Sequence, residues 1–282
     1  MPPDLAFAVT LVSRMVVTAA FVVSASIIIE RSGPVIGALV ATLPISAGPS
    51  YVFLAMDHDA AFIARGTLAS VPVNAATMFF CLTYVWLAQR RSMQVSLGVA
   101  ALVWFAMAAL VRTFDWSLAV GIMANALAFA VCLPLMARFR HARMPVVTRR
   151  WYDIPVRAAL VATLVATVVT LSSAIGPIGS GILALYPVAL TSMIVLMHPR
   201  IGGVPTAAVI ANSGWGMMGF VLAIVALHLT AVPIGSAPAL GLALAICVVW
   251  NLGLWSLGRW RASRRISETS HGSRRAKTRS SP

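Results

Sequence analysis

Seven carboxylates are available for chemistry: Asp4, Glu30, Asp57, Asp59, Asp115, Asp153 and Glu268. None lies in the middle of an apolar run, so the carboxylate relay of many proton-driven pumps has no obvious member, Glu30 being the nearest. Passive facilitation, or coupling through a loop carboxylate, is as good an expectation as proton antiport. Asp57-His58-Asp59 combines acid, base and metal-ligating types. Three adjacent loop residues cannot converge on one ion unaided, however, and the reading is a solvated loop rather than a metal site. His141, His198 and His228 are isolated, and the sequence holds no nucleophile–base pair, glycine-rich phosphate loop or His-x-x-x-His zinc spacing. No enzyme, no metal and no cofactor is expected. Cys81, Cys132 and Cys247 lie far apart inside apolar runs and read as small core hydrophobes.

The remaining chemistry is binding chemistry. Pro44 and Pro187 stand inside apolar runs, where each removes a backbone donor and leaves a carbonyl of the preceding turn to be satisfied by protein, water or a ligand. Asn74 follows Pro72, and Asn212-Ser213 precedes Gly214-Trp215-Gly216, which places polar groups beside helix-weakening residues. Ser46 and Thr191 add hydroxyls. Taken singly, these groups are explained by interhelical hydrogen bonds, each worth about 1 kcal/mol or less. As a set on corresponding spans, Pro44, Ser46, Asn74, Pro187, Thr191, Asn212 and Ser213 are the candidate lining of a pocket. Arg14 joins them, because counted from Leu5 it lies roughly 13 Å into a span at 1.5 Å per residue. A buried Arg14 would call for an anion or a wet cavity; one lying in the interface would snorkel, as Arg157 can, and both readings stand. Gly33, Pro34, Gly37, Pro49, Pro72, Gly176, Pro177, Gly181, Gly214 and Gly216 are the expected hinge and packing positions.

These residues are positioned by a stretch that occurs twice. Gly33-Pro34 through Leu43-Pro44 returns as Gly176-Pro177 through Tyr186-Pro187 without a gap, and Arg14 maps onto Arg157 at the same offset. Two prolines, a glycine and an arginine in one register mark two copies of one unit. Hydrophobic residues make up 60% of the chain and charged residues 10%, where a soluble domain has about 25% charged. The long apolar runs lack period-two alternation, so they read as membrane-spanning helices.

Nine spans follow, beginning near residues 5–11, 34, 61, 95, 115, 154, 177, 204 and 239. The expectation is an all-α polytopic membrane helix bundle. Residues 1–137 form a first repeat of five spans, 138–153 a basic cytoplasmic loop, 154–258 a second repeat of four spans, and 259–282 a disordered basic tail. With the 138–153 loop inside, Arg31, Arg90, Arg91, Arg200 and the tail also fall inside, while Asp4, Asp57, Asp59 and Asp115 fall outside. The N-terminus is then outside and the C-terminus cytoplasmic, and the net charge of +14 reflects topology rather than nucleic-acid binding. An odd number of spans before the second copy makes the repeat inverted, with one first-half span lacking a partner.

Each half resembles the small GlpM-like and DUF3147-type bacterial inner-membrane proteins. The likeness rests on Gly33-Pro34 through Leu43-Pro44, Arg65-Gly66-Thr67-Leu68, and Gly176 through Pro187 with the span that follows. It implies a bacterial inner-membrane location, and one of those families is associated with exopolysaccharide production.

The functional expectation is a secondary transporter or facilitator of a small organic solute, an anion if Arg14 is buried, with its site between the repeats. The competing class is a non-transporting scaffold or assembly subunit, for example of envelope or polysaccharide machinery. Expected partners are the lipid bilayer, anionic lipid head groups at the basic tail, and the solute.

Overall fold

The computed structural model describes residues 3–31, 47–142 and 150–279, with side chains for most of them. Among the described residues there are nine helices: α1 Pro3–Arg31, α2 Ala47–Asp57, α3 Ala60–Leu87, α4 Met93–Arg112, α5 Leu118–Ala137, α6 Asp153–Ala184, α7 Val188–Ile201, α8 Gly203–Ile234 and α9 Ser236–Arg279. Six are long and apolar enough to cross a membrane: α3, α4, α5, α6, α8 and the Ser236–Trp260 part of α9. The chain is a helical membrane protein. Gly33, Pro34, Gly37, Pro44 and Ser46 lie outside the described residues.

α3 is apolar all round and sits at the centre, as such a helix must. Val71 through Met78 are buried without interruption, and α3 packs on α4, α5, α6 and α8. The outer helices α4 and α5 instead expose Leu102, Met123 and Leu127, the pattern of helices whose other face meets lipid tails. α8 lies antiparallel to α3. The Ala88 carbonyl just beyond α3 stands against Gly203 at the start of α8, and His228 near the end of α8 bonds the Ala64 carbonyl near the start of α3 at 2.7 Å.

The offset that carries Gly33 onto Gly176 also carries the first residue of α3 onto that of α8, and the first residue of α4 onto that of α9. It lays α2 within α7 and most of α1 on α6. The image of α5 falls on the Arg- and Ser-rich stretch after Trp260, so α5 is the apolar helix without an apolar counterpart.

The Gly-Pro motif of the second copy is a corner. Gly176 has φ 68° and ψ −174°, a conformation essentially restricted to glycine. It divides α6 into a long arm, 153–175, and a short arm, 177–184, that starts on Pro177, where a missing N–H costs nothing. The helix stops at Leu185–Pro187, and α7 begins at Val188. The span expected over residues 177–197 is therefore two half-helices.

The segment after residue 259 continues as the end of α9 through Arg279. Arg, Lys and Ala are good helix formers and proline is absent until Pro282, so nothing in this segment forces the helix to stop.

Candidate functional site

The short arm of α6 and the N-terminal half of α3 meet through two glycines. A Cβ on Gly181 would overlap the Gly66 carbonyl, and one on Gly66 would come within 3.0 Å of the Pro177 carbonyl. Backbones this close need small residues on both sides. Ser70, one turn beyond Gly66, donates its hydroxyl to the Gly181 carbonyl at 2.8 Å. The Tyr51 hydroxyl of α2 is hydrogen-bonded to the Ser70 oxygen. Four buried residues from α2, α3 and α6 thus form one polar chain at the contact between the halves. Ser70 and Ser213 are mates at the repeat offset.

The break itself is lined by aromatics and hydroxyls. Tyr186 stacks on Phe105 and meets the edge of Trp104 with ring centroids 5.2 Å apart. The Trp104 indole N–H donates to Thr77 Oγ1 at 3.1 Å. Pro187 caps α7 with ψ 59°, and its carbonyl accepts from the Thr191 N–H at 2.8 Å. Thr191 Oγ1 is buried and has no hydrogen-bond partner. The C-terminal end of the short arm and the N-terminal end of α7 face this break, so partial charges of opposite sign meet there.

Asn74 is buried at mid-helix and donates to Asn125 Oδ1 at 3.0 Å. Asn125 Nδ2 bonds the Val71 carbonyl at 2.6 Å and that of Gly121 at 2.9 Å, beside Pro72. Gly121 is what allows α5 this close, since a Cβ there would meet Val71 at 3.0 Å. Pro72 therefore packs under α5 within an otherwise continuous α3.

Asn212 and Ser213 lie elsewhere, on the face of α8 toward the end of α5. Asn212 Nδ2 bonds the carbonyls of Ala208 and Arg140, and Ser213 bonds Ile210 of its own helix. Arg140 holds its guanidinium 5.4 Å from the Trp215 ring centroid, with Nε and Nη2 buried and without a hydrogen-bond partner. Burial pulls this guanidinium below its ordinary range. Gly214 packs on Leu133, and Gly216 stands 3.7 Å, measured from where its Cβ would be, from Asn251.

Arg14 is ion-paired. It is paired through two hydrogen bonds with Asp57, both side chains being mostly sheltered at 17% and 29% exposure. Asp57-His58-Asp59 is correspondingly occupied: His58 bonds Ser172 at 2.9 Å and Asp59 caps α3 by accepting from the Phe62 N–H. Pro49 lies in the first turn of α2. Cys81, Cys132 and Cys247 are buried free thiols.

No family model, no curated protein and no solved structure matches the chain.

Of the residues singled out by sequence, the structure gathers Pro177, Gly181, Pro187 and Thr191 around the break, sets Asn74 and Pro72 under α5, and leaves Asn212, Ser213, Gly214 and Gly216 beside Arg140. Tyr51, Ser70, Asn125, Trp104 and Arg140 were not singled out. Asn125 carries a signal in retrospect: it is the lone amide of α5, one turn after a glycine.

Proposed function

We propose that the chain is a secondary transporter or facilitator of a small organic solute, with its site at the broken span between two inverted repeats. The observation that carries this reading is the break at Leu185–Pro187, where two half-helices meet beside Trp104 and Phe105 of α4. Interrupted helices at repeat contacts are where secondary transporters bind their cargo. Nine spans, arranged five plus four, are part of this reading. The common offset of helix starts and the antiparallel course of α3 and α8 support the inversion. On this reading the N-terminus is outside a bacterial inner membrane and the basic C-terminal end is cytoplasmic.

An anionic solute remains the leading class, but on different grounds. Arg14 is neutralised by Asp57, whereas Arg140 presents buried N–H groups without acceptors beside Asn212. The basic end of α9 would meet anionic head groups.

A second reading, a non-transporting assembly subunit, is favoured by the internal satisfaction of the Asn74–Asn125 and Tyr51–Ser70–Gly181 groups, which leaves little to exchange with cargo. Reconstitution decides between them. Liposomes with the wild-type chain should pass one member of a panel of metabolite anions faster than empty liposomes, and Pro44→Ala, Pro187→Ala and Asn212→Ala should each reduce that flux while still inserting. No flux for any solute, together with a stable protein partner in mild detergent, would establish the second reading.

A further inference from the structure

A cavity of about 360 Å3 lies away from the broken span, between α1, α2, α8 and α9. Its volume falls in the range of roughly 300–1,000 Å3 typical of small-molecule sites. Its polar groups face elsewhere. Thr18 Oγ1 is bonded to the Arg14 carbonyl and the Tyr51 hydroxyl to Ser70. Its mouth is formed by Val17, Phe21, Val52 and Leu244, all exposed. These belong to helices of a membrane protein, so the medium at the mouth is hydrocarbon.

The repeat explains why the space exists. Cys247 and Phe220 line the cavity. Their mates at the repeat offset are Trp104 and Thr77, which hydrogen-bond to each other, with Trp104 fully enclosed against Tyr186. The first copy fills this position with an indole and anchors it with a hydroxyl. The second copy has a thiol where the indole stands and no hydroxyl to hold one.

One end of the cavity is marked by charge. Phe53, part of its wall, carries the Arg14 guanidinium 5.7 Å from its ring centroid, and Arg14 is paired with Asp57. An apolar slot open to hydrocarbon, ending at a balanced and partly exposed cation–anion pair, has the polarity profile of a single phospholipid. We infer that this cavity holds one acyl chain of a bilayer phospholipid, with a zwitterionic headgroup set over Arg14 and Asp57. The inference does not depend on transport.

Native mass spectrometry of the full chain, released from mild detergent after purification with its lipids, tests it. The wild type and Cys247→Ala should each retain one phospholipid that Cys247→Trp, which restores the indole of the other copy, loses. Zwitterionic phospholipid added back to delipidated wild type should rebind, and an anionic phospholipid should do so more weakly. Should Cys247→Trp fail to fold, Ala243→Leu narrows the same wall and should lose the same lipid. Equal retention by wild type and the filled variants, no retained lipid at all, or a retained isoprenoid in place of phospholipid would overturn the inference.

Discussion

Asp57 and Arg200 stand at the offset that carries α3 onto α8, each near the end of its helix, α2 and α7, and each is clamped by an opposite charge on another helix. Asp57 pairs with Arg14 of α1, and Arg200 pairs with Asp153 of α6, with one bond at 2.7 Å. The junction is kept while the signs are exchanged. Breaking the more enclosed second pair, whose side chains are 13% and 12% exposed, should cost more than breaking the first. Arg200→Gln is expected to cost about 2–3 kcal/mol and Arg14→Gln about 1 kcal/mol, since stranding a buried partner is what makes such losses large. Thermal unfolding in detergent ranks them. The double exchange Arg14→Asp with Asp57→Arg should recover most of the loss; failure to recover would mean that the helix ends are held by packing instead.

The Gly66–Gly181 contact predicts a sharp contrast between alanine substitutions. Gly181→Ala should lower stability by at least about 3 kcal/mol, because the new methyl group meets backbone that cannot move aside. Gly98→Ala, with open space around it, should be neutral or stabilising by up to about 1 kcal/mol. Similar melting temperatures for the two would show that the short arm can shift away from α3.

Gly176→Ala tests the corner rather than the contact. Its Cβ would meet nothing within 4 Å, yet the backbone sits at φ 68°. The expected cost is of order 1–3 kcal/mol from backbone strain alone. Proteolysis near the corner is a second readout, and an unchanged cleavage pattern with unchanged melting would count against a fixed corner.

At the amide pair, Asn125→Leu should cost about 1–2 kcal/mol, because Asn74 and the Val71 carbonyl both lose a partner. Combined with Asn74→Leu, the second substitution should cost less than it does alone. Strict additivity in that double-mutant cycle would show that the two amides do not act together.

Single-cysteine labelling at Pro145, at His58, in the loop between α8 and α9, and near the C-terminus reads the topology directly. Pro145 and the C-terminal end should be reactive from one side, and His58 and the α8–α9 loop from the other. Pro145 and the C-terminal end on opposite sides would mean an odd number of spans in the second half, whereas parallel copies at the sites flanking the two Gly-Pro stretches would remove the inverted arrangement and move the assembly-subunit reading ahead.

Much of this fold was legible because it is written in backbone chemistry. Gly176-Pro177 announces a corner and Pro187 an interruption, since glycine freedom and a missing N–H act wherever the chain runs. The pairings were not legible. Nothing near Arg14 points to Asp57, and whether a mid-span amide faces lipid, cargo or another amide depends on which helices become neighbours. The cavity was hidden for the same reason: Cys247 reads as an ordinary small core residue until Trp104 is found at its counterpart position.

α5 has no apolar counterpart, and its contribution reaches beyond the neighbours it touches. On the proposed arrangement, every helix after it takes its direction from whether this one crossing is counted. A chain deleted for α5 would then change parity, and its second half would thread in upside down and carry the arginine-rich end to the far side. On that arrangement the helix without a counterpart is the one that sets how the two halves face each other.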